Sequence, residues 1–369
     1  MTTYYVGPGG NNANPGTSWA QRKLTLNGAE DIPVAAGDTV YVGPGTYREL
    51  LTIDVSGSIG SPIAYIGDYS GANTSGTKGV VRISGSDADT SAVRANCIAA
   101  TSKDYRTFQG FLMDGCTSHL INLATACSNW IVELSSLFAL GQTISSAGTG
   151  TNNVFRRCYL VGTTGSTANV LFTHTSVVDN TANLVENCVI LGGVDGVRSV
   201  RVGGVTVRNC LILYQSSSGV SVTTALNSGQ VMTVNNCIIG FCGTALRATT
   251  TAEFVENYNS ISSVSSARSN VSVGANSNTY LYLPDVRWLF ESILASGTLA
   301  SPFDHASYSA LVELNSGTGA PSTDMRGAAA MGTYREWGPL EYNSALAIAA
   351  SVGAGGLLVH PGMSGGMRG

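Results

Sequence analysis

The chain has 369 residues, a formal net charge of −4, 45 glycines and only 11% charged residues. This composition lacks the concentrated basic charge of a nucleic-acid-binding surface. No apolar run approaches the ~18 residues that a membrane-spanning helix needs. Abundant glycine and few charged side chains instead predict many short strands joined by tight turns.

Residues 1–30 combine a short apolar run at residues 4–6 with the turn-forming pairs Gly9-Gly10 and Pro15-Gly16. In the next segment, residues 36–49, an apolar strand lies between two glycine-based turns, where glycine supplies the backbone angles of a sharp corner. This pattern is typical of one coil in a solenoid of stacked repeats. A solenoid needs a cap because its first coil otherwise exposes core and strand edges. We therefore predict an N-terminal cap at residues 1–30 and coils at residues 31–275.

A repeated pattern, Val-x-Asn-Cys-x-Ile, marks the middle of the chain. It occurs at residues 185–190, 207–212 and 234–239, with an arginine variant at 155–160 and a degenerate copy at 255–258. From cysteine to cysteine the copies lie 30, 22 and 27 residues apart, then 21 residues to Tyr258. These spacings fit one copy per coil.

Each position of the repeat has a predicted direction. Valine and cysteine are expected to point inward, the residue after valine to face solvent, and asparagine to adopt a left-handed corner. The predicted corner ladder consists of Asn187, Asn209, Asn236 and Asn257, and the predicted inner thiol stack of Cys158, Cys188, Cys210 and Cys237. Buried free thiols behave as small hydrophobes, so we predict that all eight cysteines are reduced.

Two stretches interrupt the repeat, residues 166–180 and 223–229, and both are predicted to be loops. Further on, Val286, Leu289, Phe290 and Ile293 share one face of a helix. A short helix is therefore expected in the C-terminal closing segment, residues 276–343. Residues 344–369 carry too few large apolar side chains to fold alone. We expect this tail to dock on another chain.

Taken together, the glycine-bounded strand at residues 36–49 and the Asn-Cys repeats resemble the right-handed parallel β-helix proteins of the pectin-lyase-like superfamily. The Thr-Asp-x-x-Gly turn at residues 323–327 and the Glu-Tyr pair at 341–342 resemble the closing segment of uncharacterised members. The resemblance implies an all-β, right-handed parallel β-helix with an N-terminal cap and a short C-terminal helix. Many relatives of this fold cleave or de-esterify acidic polysaccharides, and others are phage spikes, fibres or capsid surface proteins.

The strongest catalytic candidate is Asp195, which follows a Gly-Gly pair. Arg198 and Arg201 are near it in sequence, and His174 lies in the first long insert. Counting seven residues from each corner cysteine places Gly165 and Ser217 at its position in the neighbouring coils, so no second carboxylate is expected to stack on it. The alternative is an aspartate that bonds its own backbone in a glycine turn. Since we expect no catalysis, we also expect Asp195→Ala to leave stability and particle association unchanged.

Two other acids, Glu186 and Glu256, occupy one repeat position and predict an exposed face of mixed charge. Among the other histidines, His119, His305 and His360, none has a partner at ligand spacing. We therefore predict no metal site, no other cofactor and no assigned catalytic residue.

The functional prediction is a non-catalytic structural protein of a phage virion surface, either a capsid decoration or a part of a spike or fibre. Its basis is the fold resemblance together with the absence of signal-peptide features at the N-terminus. We expect a homo-oligomer, with a trimer as first choice, or attachment to a capsid protein through the tail, and neither nucleic acid nor membrane as partner. Fold alone is weak support for function. The alternative is a polysaccharide-binding or polysaccharide-cleaving enzyme of the same fold.

Overall fold

The computed structural model describes residues 1–32, 34–89, 92–163, 165–179, 181–274 and 277–280, together with two short strands further on. The solenoid strands are, in chain order, β1 (Thr3–Val6), β2 (Thr39–Val42), β3 (Gly45–Tyr47), β4 (Leu51–Ile53), β5 (Ile63–Gly67), β6 (Val81–Ser84), β7 (Asn96–Thr101), β8 (Arg106–Gln109), β9 (Leu112–Asp114), β10 (His119–Ala124), β11 (Trp130–Glu133), β12 (Ser136–Phe138), β13 (Gln142–Ala147), β14 (Val154–Arg156), β15 (Tyr159–Gly162), β16 (Ala168–Val178), β17 (Leu184–Glu186), β18 (Val189–Gly192), β19 (Asp195–Val202), β20 (Thr206–Arg208), β21 (Leu211–Leu213), β22 (Ser218–Val222), β23 (Met232–Asn235), β24 (Ile238–Gly240), β25 (Thr244–Arg247), β26 (Phe254–Asn257), β27 (Ser260–Ser262), β28 (Ser266–Ser269) and β29 (Asn278–Tyr280). One α-helix, α1 (Leu26–Glu30), and two 3₁₀ turns, Trp19–Gln21 and Thr251–Glu253, complete the solenoid.

These strands form three parallel sheets, and most coils contribute one strand to each. Sheet A has the order β1-β2-β5-β8-β11-β14-β17-β20-β23-β26, sheet B the order β3-β6-β9-β12-β15-β18-β21-β24-β27-β29, and sheet C the order β4-β7-β10-β13-β16-β19-β22-β25-β28. The apolar core runs along the inside of the three sheets. The predicted parallel β-helix is thus confirmed. Within the described part of the chain, no helix is long and apolar enough to cross a bilayer.

The corner between sheets A and B follows the repeat in three copies. Asn187, Asn209 and Asn236 have φ angles of 52°, 53° and 55°. This left-handed backbone is one that asparagine tolerates well. The Asn209 side-chain amide donates to Asn187 Oδ1 at 2.5 Å. The valines of these copies are fully buried, as predicted.

The fourth copy was predicted in the wrong register. Strand β26 pairs with β23 so that Glu256, rather than Val255, lies opposite Val234. Tyr258 therefore occupies the corner, with φ of 56°, in place of Asn257. A shift of one residue reverses every side chain of a strand, and Val255 is accordingly 43% exposed.

The thiols lie in the interior. All eight cysteines are free and buried in the structure, and the four of the predicted stack have no exposed surface. Burial raises the pKa of the Cys158, Cys188 and Cys210 thiols well above the usual range. These groups therefore stay protonated and pack as small hydrophobes.

The N-terminal end of the solenoid is closed by α1, whose first turn is capped by the Thr25 side chain. Glu30, at its end, binds Arg106 of β8 through two hydrogen bonds of 2.9 Å, and the Tyr65 hydroxyl donates to the same carboxylate at 2.7 Å. Arg106 has no exposed surface. Residues 1–30 also contain β1, which pairs with β2 and is the first strand of sheet A, and the cap assigned to this segment stays a prediction.

Two of the predicted irregular segments differ from the structure. Residues 166–180 are largely strand, because β16 continues sheet C beside β13 and β19, and the predicted loop is wrong there. Residues 223–229 contain no strand and form the predicted loop. In the predicted C-terminal helix, the two described residues instead form a strand, β30 (Phe290–Glu291), antiparallel to β31 (Asp304–His305). The rest of that helix and the tail at residues 344–369 lie outside the described residues.

Candidate functional site

The outer face of sheet C repeats a pattern of one outward, two inward and one outward residue. In β10, the consecutive residues Leu120 and Ile121 are both buried in the core, and strand pairing links His119 and Ile121 to the next coil while skipping the residue between them. Ala245 and Leu246 repeat the arrangement in β25. Each such coil therefore presents two outward positions, which stack into two columns along the solenoid.

We call these two columns the sheet C face. By strand register, the first column contains His119, Gln142, Ala168, Asp195, Ser218, Thr244 and Ser266, and the second contains Asn122, Ser145, Leu171, Arg198, Ser221, Arg247 and Ser269. Apart from Ala168 and Leu171, all of these side chains carry hydrogen-bonding groups. Five of the polar members are buried: Gln142, Ser145, Asp195, Ser218 and Ser221. Neighbouring members of a column are about 4.8 Å apart, the spacing of paired strands.

Asp195 lies at the centre of this face, with no exposed surface. Its carboxylate accepts hydrogen bonds from Arg198 Nε at 2.6 Å, from the Ser221 hydroxyl at 2.6 Å and from the Ser218 backbone N–H at 3.0 Å. Two of these donors belong to the next coil. The carboxylate therefore joins two coils and neutralises one arginine, and all its partners are fixed by the fold.

Several expectations for Asp195 need correction. Its neighbours in register are Ala168 and Ser218, rather than Gly165 and Ser217. Neither is acidic, so the absence of a stacked carboxylate holds at the corrected positions. The side chain bonds the following coil instead of its own turn. Removal of a buried acceptor with three donors is costly, so the structure leads us to expect that Asp195→Ala lowers stability, contrary to the expectation from sequence.

The predicted grouping of Asp195 with His174 and Arg201 is not formed. Pairing of Thr173 with Val200 puts His174 beside Arg201, and Arg201 Nη1 donates to the His174 carbonyl at 3.4 Å. Asp195 lies six residues back along the same strand, roughly 20 Å away at the strand rise of about 3.3 Å per residue. Of the candidates, only Arg198 therefore reaches Asp195.

A polar cleft of about 230 Å³ adjoins the first column. Its lining residues come from the turns that enter three successive sheet C strands: Thr117, Ser118, His119, Gly141, Gln142, Gly165, Ser166 and Thr167. The Ser118 hydroxyl lies 2.8 Å from His119 Nδ1. Burial lowers the pKa of His119, although a hydrogen bond with Gln142 opposes the shift. The imidazole is therefore neutral at pH 7.

Sequence reasoning considered His119 only as a possible metal ligand and did not consider Gln142. The signal that could have found them is the coil spacing, because residues 119 and 142 begin equivalent strands. Arg247 was missed for the same reason. It is exposed, and register places it two strands from Arg198 with Ser221 between them. The two guanidinium groups thus start from positions about 10 Å apart, twice the strand spacing.

The outer face of sheet A carries charge in another form. Glu186 is 7% exposed and binds Arg208 of the next coil at 2.7 Å, while Glu133 binds Arg156 at 2.7 Å. The predicted exposed face of mixed charge is therefore wrong in its exposure. Glu256 is wrong in position as well, since it points inward and binds Arg268 at 2.7 Å.

Among the described residues, two carboxylates come together beside sheet B. Asp89 and Asp114 each bind Arg82 Nη2 at 2.8 Å. The hydrogen bond from Arg48 lowers the pKa of Asp89 to about 2, so this carboxyl is ionised at neutral pH and cannot act as a general acid. Among the residues that the structure describes, no three His, Cys, Asp or Glu side chains are grouped so as to hold a metal ion.

Comparison with known proteins shows the fold. The sequence matches no family profile and no curated protein sequence. In structure, the chain is similar to pectate lyase Pel9A, with a TM-score of 0.55 and 15% identity over 93% of this chain and 97% of that one. It is also similar to a rhamnogalacturonan lyase, with a TM-score of 0.49 and 15% identity over 79% of this chain and 91% of that one. For a pectin methylesterase from Aspergillus niger, the TM-score is 0.44 and the identity 15%, over 78% of this chain and 93% of that one. The chain thus has the parallel β-helix fold of pectate lyase.

Proposed function

We propose that the protein is a polysaccharide-binding β-helix whose binding surface is the sheet C face with its adjoining cleft. The observation that carries this proposal is the accessible polar part of the two columns at the last coils, Thr244, Arg247, Ser266 and Ser269, with Arg198 nearby. Hydroxyl and guanidinium groups on strands about 4.8 Å apart suit a polymer of hydroxyl-bearing units. A sugar chain can lie across these strands and contact the accessible groups.

The charge of the face favours an anionic polysaccharide. Arg198 shares its charge with Asp195, whereas Arg247 makes no ion pair within the described residues. A guanidinium group can bind a carboxylate or sulfate through two parallel hydrogen bonds. Arg247 is therefore the residue that we expect to make the strongest single contact with such a ligand.

Binding without cleavage agrees with the state of the acids. Asp195 is enclosed by donors from its own and the next coil, His174 is remote, and Asp89 is held as an ion by arginine. Both carboxylates are paired with arginine, whereas general acid catalysis of sugar cleavage needs a carboxyl that holds a proton and delivers it to the sugar. We therefore propose a binding protein before an enzyme, and keep the polysaccharide-cleaving enzyme as the alternative.

The sequence-based prediction of a phage virion surface protein gives this binding a setting. As a capsid decoration or a spike component, the rod would present the sheet C face to polysaccharide on a host surface. The homo-oligomer, the trimer and attachment through residues 344–369 remain predictions that belong to this setting. A preparation of virions probed with antibody against the purified chain tests it, and absence of the chain from washed particles contradicts it.

Titration calorimetry with polygalacturonate and alginate tests the binding itself. We expect Arg247→Ala to weaken binding about tenfold, because a charge-assisted hydrogen bond contributes on the order of 1.5–3 kcal/mol. The matched control is Lys78→Ala, which removes an exposed cation from the turn between β5 and β6. Equal affinity for all three proteins contradicts the proposed surface. Release of unsaturated or reducing sugar, abolished by Asp195→Asn, establishes the enzyme instead.

A further inference from the structure

Two thiol groups in the N-terminal half of the solenoid lie next to each other. Cys97 Sγ is 3.0 Å from Cys116 Sγ, and both side chains are buried. The length of a disulfide bond is about 2.05 Å, so the two sulfur atoms are only about 1 Å further apart than bonded ones. The pair is therefore close to the geometry of a disulfide.

The two cysteines belong to successive coils. Cys97 is in β7, and Cys116 lies between β9 and β10, the strand that pairs with β7. From Cys97 the chain leaves sheet C, passes through β8 of sheet A and β9 of sheet B, and reaches Cys116 just before it enters sheet C again. A bond between the two sulfur atoms would close this full turn into a ring and join one coil covalently to the next.

The backbone groups around the pair do not depend on its thiol hydrogens. Cys97 Sγ lies 3.4 Å from the Ile83 carbonyl oxygen and 3.3 Å from that of Asp114. The Asp114 carbonyl also accepts the Gly85 N–H at 2.8 Å. Ile83 lies in β6, which is paired on both sides, with β3 and with β9. Loss of the two S–H groups on oxidation therefore removes no essential hydrogen bond.

The inner thiol stack is arranged differently. Cys188 Sγ lies 3.2 Å from the carbonyl oxygen of Glu186, two residues before it, and 3.5 Å from that of Phe155 in the preceding coil. The equivalent contacts recur at Cys158, Cys210 and Cys237. Side chains of one orientation repeat at the strand spacing of about 4.8 Å, more than twice the length of a disulfide bond. These thiols are buried too, but they are not at bonding distance.

We propose that Cys97 and Cys116 form a disulfide bond when the chain folds in the presence of a small-molecule disulfide such as oxidised glutathione. Such a bond suits a protein that acts outside a cell, where disulfides persist. The prediction of reduced cysteines then applies to the other six. This assignment does not depend on the proposed glycan binding.

The reaction is thiol–disulfide exchange. The thiolate of one cysteine attacks oxidised glutathione, forms a mixed disulfide and releases the first glutathione thiolate. The thiolate of the second cysteine then attacks the protein sulfur of the mixed disulfide, forms the Cys97–Cys116 bond and releases the second glutathione thiolate. The two cysteines lose two electrons, which reduce one oxidised glutathione, and their two protons end on the two glutathione thiols.

This exchange is expected during folding rather than afterwards. The thiolate is the attacking form. In the folded chain, the hydrogen bond with Cys116 and burial raise the pKa of the Cys97 thiol, and neither side chain is open to a reagent. The bond therefore forms as the two coils come together and is then enclosed.

Cell-free synthesis of the full chain tests the bond. The chain is made in a reaction buffered with reduced and oxidised glutathione, then denatured and alkylated without reduction. We expect mass spectrometry to find the peptides of Cys97 and Cys116 linked, with the loss of two hydrogen atoms, and the four cysteines of the inner thiol stack alkylated. Alkylation of all eight cysteines overturns the proposal. Linkage within the inner thiol stack in equal amount also overturns it, because pairing would then not follow the distance between the sulfur atoms.

Thermal unfolding measures the effect of the ring. The bond restricts the unfolded chain, so the oxidised protein should unfold at least about 3 °C higher than protein made under reducing conditions. Cys116→Ser should abolish this difference, whereas the matched control Cys210→Ser, which removes a thiol of the inner thiol stack, should keep it. The opposite result for either variant overturns the proposal. If Cys116→Ser does not fold, Cys97→Ala replaces it, and the linked peptide of the unmodified protein decides independently.

Discussion

The outer faces of sheets A and C both carry charged side chains, but these side chains have different partners on the two sheets. On sheet A, Glu186 and Arg208 fall at adjacent coils and bind each other. On sheet C, Asp195 binds Arg198 of its own strand, and Arg247 has no acid beside it in register. Stacked coils therefore stabilise themselves where opposite charges alternate, and leave groups for a ligand where they do not.

The largest effect on stability is expected from Asp195→Ala. It leaves Arg198 without its partner and removes the acceptor of the Ser218 N–H and the Ser221 hydroxyl. Breaking a buried pair costs about 3–5 kcal/mol, and because Arg198 is 17% exposed we expect a loss of about 2–4 kcal/mol. Urea denaturation measures it, with Asp195→Asn, which keeps an acceptor, as the intermediate control. A loss below about 1 kcal/mol would show that solvent replaces the missing partner.

On sheet A, Glu186→Ala should cost less. Arg208 is 33% exposed, so water screens the pair, and we expect a loss of about 1 kcal/mol. A double-mutant cycle with Arg208→Ala isolates the interaction. The coupling energy should shrink in high salt, because salt screens exposed charges. A coupling that salt does not change would mean that the pair behaves as a buried one.

Glu256 points inward, unlike the charged residues on the outer faces of sheets A and C, and its ionisation can be tested by pH. Burial raises its pKa, but hydrogen bonds from the Gly274 N–H, Ser277 and Asn259, together with Arg268, outweigh burial and lower the pKa below its ordinary 4.5. Its stabilisation is therefore complete above pH 4.5 and is lost as the pH falls through the lowered value. We expect Glu256→Gln to be less stable at pH 7 and to lose less stability on acidification. Parallel acid dependence of the two proteins contradicts this.

Arg247→Ala should have the smallest effect on stability, within about 0.5 kcal/mol, as for surface substitutions without a defined partner. Thermal unfolding with and without polygalacturonate measures both of its consequences. The midpoint without ligand should match that of the unmodified protein, and the increase on adding ligand should be smaller. A fall in stability without ligand would reveal a structural contact of Arg247 and weaken its assignment to binding.

The sequence predicted the repeating part of this molecule well. Val-x-Asn-Cys-x-Ile carries its own geometry, since only a few residues accept a left-handed corner. The repeat was misleading at residues 255–258. There the sequence Val-Glu-Asn matches the repeat, but Glu256 rather than Val255 points inward. Inward Glu256 is stabilised by Arg268 and Ser277, and a single-coil pattern does not contain those contacts.

The candidate site was largely beyond sequence reasoning. Its residues become neighbours only through strand register, and coils of unequal length conceal that register. Asp195 was singled out correctly as unusual, but counting from the corner cysteines misplaced its neighbours by three residues in the preceding coil and by one in the next. The polar columns that include Gln142 and Arg247 appear only when the strands are aligned.

The unequal coil lengths have a consequence for engineering. The corner from sheet A to sheet B keeps one length at Asn187, Asn209 and Asn236. The coils differ instead in the length of β16 and in residues 223–229, which connect sheet C to the next strand of sheet A. A new loop can therefore be grafted at the exposed residues 228–229, with Leu226 kept against the core, without changing the corner or the inward residues of the next coil. The solenoid would then be a rigid scaffold on which the distance between grafted loops is a multiple of the coil spacing.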